Sequence, residues 1–262
     1  MFTKIFDIGA NTGQNIDYFL SKSKKVIAVE PISELCLQME RNFKKSIKND
    51  ELKILNFAVV NDENTTSLDF YFNTDKSWES SLLKNDKSKK VNVSATTLNK
   101  LFNKYGYPDC IKIDIEGYDL EVLKYMATLN ILPDYLSIEI QNKKTLDFIV
   151  NNFSYKYFNF VLGHRISEDY KNLNLKTHSS GPLGNDLKFQ WVKKRIIKYY
   201  FMISRYGWID LHCTNNEYNN KHNIGIPKTL IYLVTDKTYR KMRPYKNRII
   251  GKIKSIKYKL FN

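Results

Sequence analysis

Residues 3–13 read Thr-Lys-Ile-Phe-Asp-Ile-Gly-Ala-Asn-Thr-Gly, an apolar run that ends in a glycine-rich turn. A second apolar run, Lys-Val-Ile-Ala-Val-Glu, occupies residues 25–30 and is closed by Pro31. Short apolar runs bounded by turn residues are typical of buried parallel strands. Residues 12–20 carry apolar side chains at helical spacing, and Thr12 is the predicted N-cap of that helix. This stretch therefore predicts a strand, a helix and a second, parallel strand.

The alternation of helices and strands continues through the first 162 residues. Predicted helices cover residues 33–45 and 119–126, and predicted strands cover residues 53–57, 110–115, 135–140 and 155–162. Residues 67–73 and 91–95 alternate apolar and polar side chains, which predicts an added hairpin. Strands that alternate with helices indicate a doubly wound, mostly parallel sheet. The expected fold class is therefore α/β.

The chain divides into four predicted segments. Its 262 residues suit one large domain with an appendage, and 42% hydrophobic and 26% charged residues are typical of a globular protein. Residues 1–162 form the predicted core. Residues 163–229 lack the regular alternation and form a predicted insertion that covers the ligand edge of the sheet. Residues 230–236 are predicted to return to the sheet as a strand, and residues 237–262 form a basic tail.

The positive charge of the chain is concentrated in that tail. The formal net charge is +15, and residues 237–262 contain ten Lys or Arg and no Asp or Glu, which leaves +5 for residues 1–236. Such a tail could contact phosphate, either of nucleic acid or of a membrane surface. The alternative is a compositional bias, since the whole chain is rich in Lys, Asn, Ile and Tyr.

Cysteine usage and hydropathy bear on the compartment. Cys36, Cys110 and Cys213 are an odd number without paired or metal-type spacing, which predicts reduced thiols and a cytoplasmic location. No run of about 18 apolar residues occurs, and the N-terminal residues read as a strand. The sequence therefore predicts neither a standard secretion signal nor a membrane span.

The glycine-rich turn predicts a nucleoside site. Gly9 and Gly13 permit a tight turn and a close approach of the backbone to a ligand. A dinucleotide fingerprint needs glycine at positions 9, 11 and 14, but Asn11 and Gln14 occupy two of them, which disfavours a nicotinamide or flavin dinucleotide. Glu30 ends the second strand, where a carboxylate can accept hydrogen bonds from ribose hydroxyls. In the alternative interpretation these are turn glycines and a solvated strand end.

Three segments together resemble a known family. Residues 7–13, residues 29–31 (Val-Glu-Pro) and residues 112–123 (Lys-Ile-Asp-Ile-Glu-Gly-Tyr-Asp-Leu-Glu-Val-Leu) resemble the FkbM-type S-adenosylmethionine-dependent methyltransferases in wording, order and spacing. The resemblance implies a Rossmann-like class I methyltransferase sheet with an antiparallel last strand. It also implies S-adenosylmethionine as the cofactor and methyl transfer to oxygen. The cofactor-binding residues that it implies are Asp7, Gly9, Ala10, Asn11, Gly13, Glu30, Pro31 and Asp114.

Carboxylates that end neighbouring strands are the candidates for catalysis. Asp114 and Glu116 end the fourth strand and Glu139 lies near the end of the fifth, so all three are expected at the ligand edge. Asp114 is the first candidate for contact with the cofactor or acceptor and Glu116 the second. His178 and His164 are candidate bases because histidine titrates near neutral pH. Alternatively, the carboxylates cap the next helix. Together they could hold a divalent cation, although a metal site is not favoured.

The acceptor is expected to be a small molecule or glycan with a free hydroxyl. The preference for a sugar depends on four aromatic residues that could stack on its ring, Trp191, Tyr199, Tyr200 and Trp208. One alternative is an RNA methyltransferase that uses the basic tail for phosphate contacts. Another is a binding module that keeps the methyltransferase fold without activity.

The last residues have the pattern of an amphipathic helix. Ile249, Ile253, Ile256 and Leu260 recur at helical spacing, and lysines and arginines fill the remainder of residues 245–262. Such a helix could lie on the anionic inner face of a membrane, which would make the protein peripheral there. The alternative is that the isoleucines dock on the domain itself or on a second copy of the chain in a homo-oligomer.

Overall fold

The computed structural model describes residues 1–72, 89–140, 142–173, 175–176, 179–203, 209–218 and 223–235. A seven-stranded sheet organises this part of the chain. Its strands are β1 (Phe2–Ile8), β2 (Ser23–Val29), β3 (Leu52–Leu55), β7 (Cys110–Ile113), β8 (Tyr135–Ile140), β9 (Tyr157–Leu162) and β10 (Ile209–Thr214). They stand in the order β3-β2-β1-β7-β8-β10-β9. β10 is antiparallel to both of its neighbours, and the other pairs are parallel. The predicted α/β class is confirmed.

A smaller sheet contains the predicted hairpin. Its strands are β4 (Ala58–Val60), β5 (Ser67–Phe72) and β6 (Lys89–Thr97), in the order β4-β6-β5. β5 and β6 are antiparallel, with Ser67 opposite Ser94, which confirms the hairpin. β4 pairs parallel to β6 and extends the hairpin by a strand that the sequence analysis did not predict.

Helices cover both faces of the large sheet. They are α1 (Ile16–Lys22), α2 (Ser33–Asn42), α3 (Lys44–Lys48), α4 (Leu98–Tyr105), α5 (Asp119–Thr128), α6 (Lys143–Asn152), α7 (Ile166–Asp169), α8 (Lys194–Ile203) and α9 (Ile226–Thr235). Buried residues of α4, α5, α6, α8 and α9 pack on one face. Buried residues of α1, α2, α7 and the segment 183–191 pack on the other. The sheet is therefore buried on both sides, as its continuous apolar strands predict.

The first helix begins later than predicted. Asn15 rather than Thr12 is its N-cap residue, and the helix starts at Ile16. Asn11 and Gly13 have φ angles of 51° and 79°, outside the right-handed helical region. The chain therefore stays in a turn until Asn15, and this turn is the loop predicted to meet a ligand.

The predicted returning strand at residues 230–236 is wrong, because residues 226–235 form α9. Leu230 and Leu233 are buried three residues apart while Ile231 is 62% exposed, which is the period of a helix and not of a buried strand. Pro227 lies in the first turn of α9, where proline is tolerated. The antiparallel strand is β10, inserted between β8 and β9 and buried at all six positions.

Residues 163–229 are more than a cover for the ligand edge. They supply β10 to the sheet, α7 and residues 183–191 to one face, and α8 to the other. Their predicted role towards a substrate stays a prediction for the portions that follow β9 and precede β10. His178, Trp208 and the tail 237–262 lie outside the described residues. Within the described ranges, no helix combines the length and the apolar character needed to cross a bilayer.

Candidate functional site

The glycine-rich turn and the end of β7 are in close contact. The Gly9 and Ala10 N–H groups donate to the Val29 carbonyl at 2.9 and 3.0 Å, which draws the turn towards β2. Gly9 has a φ of 81°, and a Cβ atom added there would lie 1.9 Å from the Asp114 backbone oxygen. Only glycine fits this position, because both its backbone conformation and the space exclude a side chain.

Gly13 is required for packing. A Cβ atom there would lie 2.8 Å from Ile16 and 3.0 Å from Met39, between α1 and α2. Gly13 therefore lets the helices approach the turn closely.

Glu30 follows β2 and is 6% exposed. Its Oε2 accepts from the Asn11 N–H and its Oε1 from the Ile32 N–H, both at 2.9 Å. Burial raises the pKa of Glu30 to about 7, against the lowering effect of these two hydrogen bonds. Each carboxylate oxygen keeps a second lone pair, so the group can still accept from ligand hydroxyls.

A buried lysine lies beneath the turn. Lys112 is 2% exposed, and its Nζ lies 3.4 Å from Asp7 Oδ1, 3.3 Å from Asp114 Oδ2 and 3.3 Å from the Gly9 carbonyl oxygen. Burial opposes its charge, but Asp114 and Asp7 outweigh that effect and raise its pKa. Burial raises the pKa of Asp7, and Lys112 counteracts this. Lys112 belongs to the motif of residues 112–123, but no role was predicted for it.

Three predicted carboxylates meet at the same edge. Oxygen atoms of Asp114, Glu116 and Glu139 all lie within 4.8 Å of one another. Glu139 is 8% exposed, and burial, followed by the charges of Asp114 and Glu116, raises its pKa to about 10. Glu139 therefore holds a proton at neutral pH and hydrogen-bonds to Asp114. The cluster therefore contains the protonated Glu139 and the carboxyl groups of Asp114 and Glu116. Carboxyl groups in such a cluster could accept a proton or coordinate a hard divalent cation.

Further polar residues extend this site into the sheet, and the sequence analysis missed them. Asp210 stands opposite Glu139 in β10 and is fully buried. Ser137 of β8 pairs with Lys112 of β7, and His212 of β10 pairs with Ser137 on its other side. Burial lowers the pKa of His212 to about 3, so this side chain is neutral. Their alternation with apolar residues in β8 and β10 was the available signal, because a strand buried on both faces has no need of polar side chains.

A shallow cleft lies beside the turn. Its lining is apolar and consists of Ile8, Gly9, Val29, Pro31, Phe57, Ala58, Val59, Phe70 and Ile115. Pro31, a predicted cofactor-binding residue, is therefore at the cleft wall. Ile115, the residue between Asp114 and Glu116, also lines the cleft, so the apolar cleft and the carboxylates adjoin at this edge.

Several predicted site residues lie elsewhere. His164 follows β9, which is separated from β8 by β10 and therefore lies about 10 Å away across the sheet. Trp191 is buried against Tyr135 and Tyr218, and Tyr200 is 1% exposed in the core. These two aromatic rings fill the interior and offer no surface on which a sugar could stack. Tyr199 is half-buried in α8, so a stacking role for Tyr199 and Trp208 stays a prediction.

Sequence comparison agrees with this geometry. The family described as "Methyltransferase FkbM domain" matches residues 7–163, more than half of the chain. The chain belongs to the FkbM methyltransferase family. The match includes Gly9, Glu30, Asp114 and Glu139, which places the observed edge within the family domain. With its sheet order and single antiparallel strand, this FkbM methyltransferase has the Rossmann-like class I methyltransferase fold, as predicted.

Solved methyltransferase structures are similar to the chain at low identity. A methyltransferase FkbM from Methylobacillus flagellatus KT is 14% identical, with 61% of this chain and 39% of that chain covered and a TM-score of 0.41. The chain therefore spans well under half the length of that protein. A precorrin-6y C5,15-methyltransferase from Geobacter metallireducens GS-15 is 9% identical, with 82% and 80% covered and a TM-score of 0.37.

A structure from Streptococcus mutans, solved in complex with S-adenosylhomocysteine, is 10% identical to this chain. The match covers 80% of this chain and 88% of that chain, with a TM-score of 0.37. No curated protein sequence matches the chain.

Proposed function

We propose that the chain is an S-adenosylmethionine-dependent O-methyltransferase that acts on a hydroxyl of a sugar or glycan. The observation that carries the proposal is the contact between Gly9 and the Asp114 backbone, because it joins an apolar cleft and a carboxylate cluster at one sheet edge. Membership in the family supports methyl transfer. A neighbouring structure that holds S-adenosylhomocysteine is consistent with the cofactor.

The residues at the edge fit an adenosine. Phe57, Ala58 and Val59 give the cleft apolar walls for a purine ring. Glu30, next to Pro31 at the same wall, has lone pairs for two ribose hydroxyls. Among the described residues that line the cleft none is basic, which suits a nucleoside without phosphates. When bound, S-adenosylmethionine supplies an electrophilic methyl group on a sulfonium.

The carboxylate cluster is suited to deprotonate a hydroxyl. Asp114 lies between the Gly9 turn and Glu139, so an acceptor held there would be beside the cofactor loop. We assign Asp114 as the group that takes the acceptor proton, with Glu116 beside it. Glu139, protonated at neutral pH, donates its hydrogen bond to Asp114 and keeps the pair from carrying two charges. Lys112 balances the remaining charge from below.

The carboxylate cluster also favours one class of acceptor. Carboxylates within 4.8 Å of one another accept hydrogen bonds from adjacent hydroxyls of a polyol. They repel phosphate, which disfavours RNA at this edge. If the reaction uses a divalent cation, Asp114, Glu116 and Glu139 would hold it and it would supply a Lewis acid for polyol hydroxyls; methylation would then be lost on adding a chelator.

The test has a binding step and a transfer step. Isothermal titration should detect S-adenosylhomocysteine binding to the full chain. Incubation with S-adenosyl-[methyl-³H]methionine and free hexoses, pentoses and inositol should then label at least one sugar. Asp114→Asn should bind S-adenosylhomocysteine and fail to label, while Asp17→Asn, an exposed aspartate of α1, should label normally. No heat with S-adenosylhomocysteine would reject the cofactor, and full labelling by Asp114→Asn would reject the base.

A further inference from the structure

The loop between β7 and α5 passes through two left-handed residues. Glu116 has a φ of 53° and Gly117 a φ of 97°. Glycine adopts this region freely, but a glutamate there is uncommon and must be held by its surroundings. The Glu116 carboxylate lies within 4.8 Å of the carboxyl groups of Asp114 and Glu139. The left-handed backbone at Glu116 therefore helps to set where this carboxylate lies.

Asp119 supplies the restraint. Its Oδ1 accepts from the Ile115 N–H at 3.1 Å and its Oδ2 from the Gly117 N–H at 3.0 Å. These N–H groups flank Glu116 on both sides, so one carboxylate spans the strained residue. Asp119 is 6% exposed, and burial strengthens hydrogen bonds to its charge by excluding water.

Asp119 does more than an aspartate at a helix start usually does. It is the first residue of α5, and an acidic residue there usually accepts from the free N–H groups of the first helical turn. The Asp119 carboxylate accepts from its own N–H group and, in addition, from two N–H groups of the preceding loop. The side chain thus joins the loop to the start of the helix.

We propose that Asp119 is a positioning residue, which fixes the left-handed backbone at Glu116 and so holds the Glu116 carboxylate beside Asp114 and Glu139. Its functional consequence rests on the methyl transfer proposed above, but its structural consequence does not. Without Asp119 the loop relaxes, and Glu116 leaves the cluster towards solvent.

The structural test compares two matched variants. Asp119→Asn replaces one acceptor oxygen with an NH₂ group, which cannot accept from a backbone N–H. Glu121→Gln makes the same change of charge in the same helix, on a half-buried residue paired with Lys124. In crystal structures, Asp119→Asn should move Glu116 out of the left-handed region and its carboxylate beyond 4.8 Å from Asp114, whereas Glu121→Gln should not. An unmoved Glu116 in Asp119→Asn would overturn the proposal.

A double-mutant cycle tests the functional consequence. With the sugar that gives the highest tritium incorporation, Asp119→Asn should lower kcat on the order of 10²-fold, the effect of a misplaced catalytic group, with an unchanged KM for S-adenosylmethionine. If Asp119 acts through Glu116, Glu116→Gln with Asp119→Asn should be no slower than Glu116→Gln alone. Losses that multiply would mean an independent role and would contradict the proposal.

A measurement on the unsubstituted protein tests the proposal even if Asp119→Asn does not fold. The Gly117 residue is exposed, so any protection of its amide must come from Asp119. We expect its hydrogen exchange to be at least tenfold slower than that of an unprotected amide, and free exchange would reject the restraint. If the unsubstituted protein does not bind S-adenosylhomocysteine, the proposed function fails, while the crystal geometry and the exchange rate still decide the role of Asp119.

Discussion

Lys112 places a positive charge in the interior of a parallel sheet, at 2% exposure. A buried charge is tolerated only with partners, and here Asp7 on β1 and Asp114 after β7 provide them. The Gly9 carbonyl adds a third contact, so one ammonium group links the cofactor turn to the carboxylate cluster. The geometry of the edge therefore depends on a residue that contacts neither the cleft nor solvent.

Removal of this charge should be costly. Lys112→Met leaves Asp7 buried without its cation, and we expect a loss of about 3–5 kcal/mol in the free energy of unfolding. Urea denaturation measures it, with Lys124→Met as the control on an exposed lysine of α5. The double variant Asp7→Asn with Lys112→Met should recover part of the loss, because no unpaired charge then remains. Equal midpoints for Lys112→Met and Lys124→Met would contradict this assignment.

Glu30 makes stability depend on pH. Its pKa rises on folding from an ordinary value near 4.5 to about 7, so the native state holds the proton longer than the unfolded chain does. The contribution of Glu30 to stability is therefore full below about pH 4.5 and is lost as the pH rises through about 7, by on the order of 3 kcal/mol. Glu30→Gln should remove this slope. If the free energies of unfolding of the two proteins change equally with pH between 4.5 and 8, the pKa of Glu30 is not raised.

The acidic residues of the cluster could be predicted from the sequence, but the residues that hold them in place could not. Asp114, Glu116 and Glu139 end strands, and the rule that parallel strands share a carboxyl edge is enough to bring them together. Lys112 and Asp119 were not assigned roles, because their partners come from other parts of the chain or from backbone N–H groups of a loop. Positive φ at Glu116 has no signature in residue type, and the adjacent Gly117 was the closest signal.

The segment 179–186 is attached to the sheet by side chains from two elements. Asn15 Oδ1, at the start of α1, accepts from the Ser179 hydroxyl and the Ser180 N–H, both at 2.9 Å. The Leu183 N–H donates to the Tyr18 hydroxyl and the Gly184 N–H to the Tyr135 hydroxyl, again at 2.9 Å. Ser179 and Ser180 are buried, so this segment packs closely on the turn that precedes α1.

The two attachments of that segment can be separated. Asn15→Ala removes the acceptor for Ser179 and Ser180 and should cost about 1–3 kcal/mol, with faster hydrogen exchange in residues 179–181. Tyr18→Phe removes the acceptor for Leu183 and should loosen residues 183–186 instead. Exchange measured by mass spectrometry distinguishes the two patterns. If both variants loosen the whole segment equally, the segment opens as one unit and the separate attachments are not independent.

Helices and strands were predicted correctly where the spacing of apolar residues agrees with the place of the element in the fold. The first strand–helix–strand unit and the β5–β6 hairpin are specified by short-range patterns. β10 was missed because Asp210, His212 and Thr214 interrupt its apolar residues. α9 was predicted as a strand because a short apolar run fits a buried strand and a helix equally well. The choice between them depends on neighbours: β10 fills the gap between β8 and β9, and α9 packs against α8.

At the scale of the whole molecule, charge is divided between an acidic edge and a basic tail. The carboxylate cluster faces the proposed acceptor, whereas residues 237–262 carry ten positive charges and lie outside the described residues. The acidic edge would repel a polyanion, so the tail and the edge are not suited to bind the same phosphate-rich ligand. If the tail binds phosphate, it does so as a separate contact, and an anionic membrane surface is a partner that needs no entry to the cleft.

This separation predicts vesicle binding that does not depend on activity. Residues 245–262 contain six Lys or Arg, each contributing on the order of 1 kcal/mol near an anionic surface. Full-length protein should therefore sediment with vesicles containing phosphatidylserine and not with neutral phosphatidylcholine vesicles, and 0.5 M salt should release it, as expected for screened charges. A chain ending at residue 244 should stay in the supernatant and keep its thermal stability and its affinity for S-adenosylhomocysteine. If truncation instead lowers the melting temperature while full-length protein ignores both vesicles, the isoleucines at 249, 253 and 256 dock on the domain or on a second copy, and size-exclusion chromatography distinguishes those two.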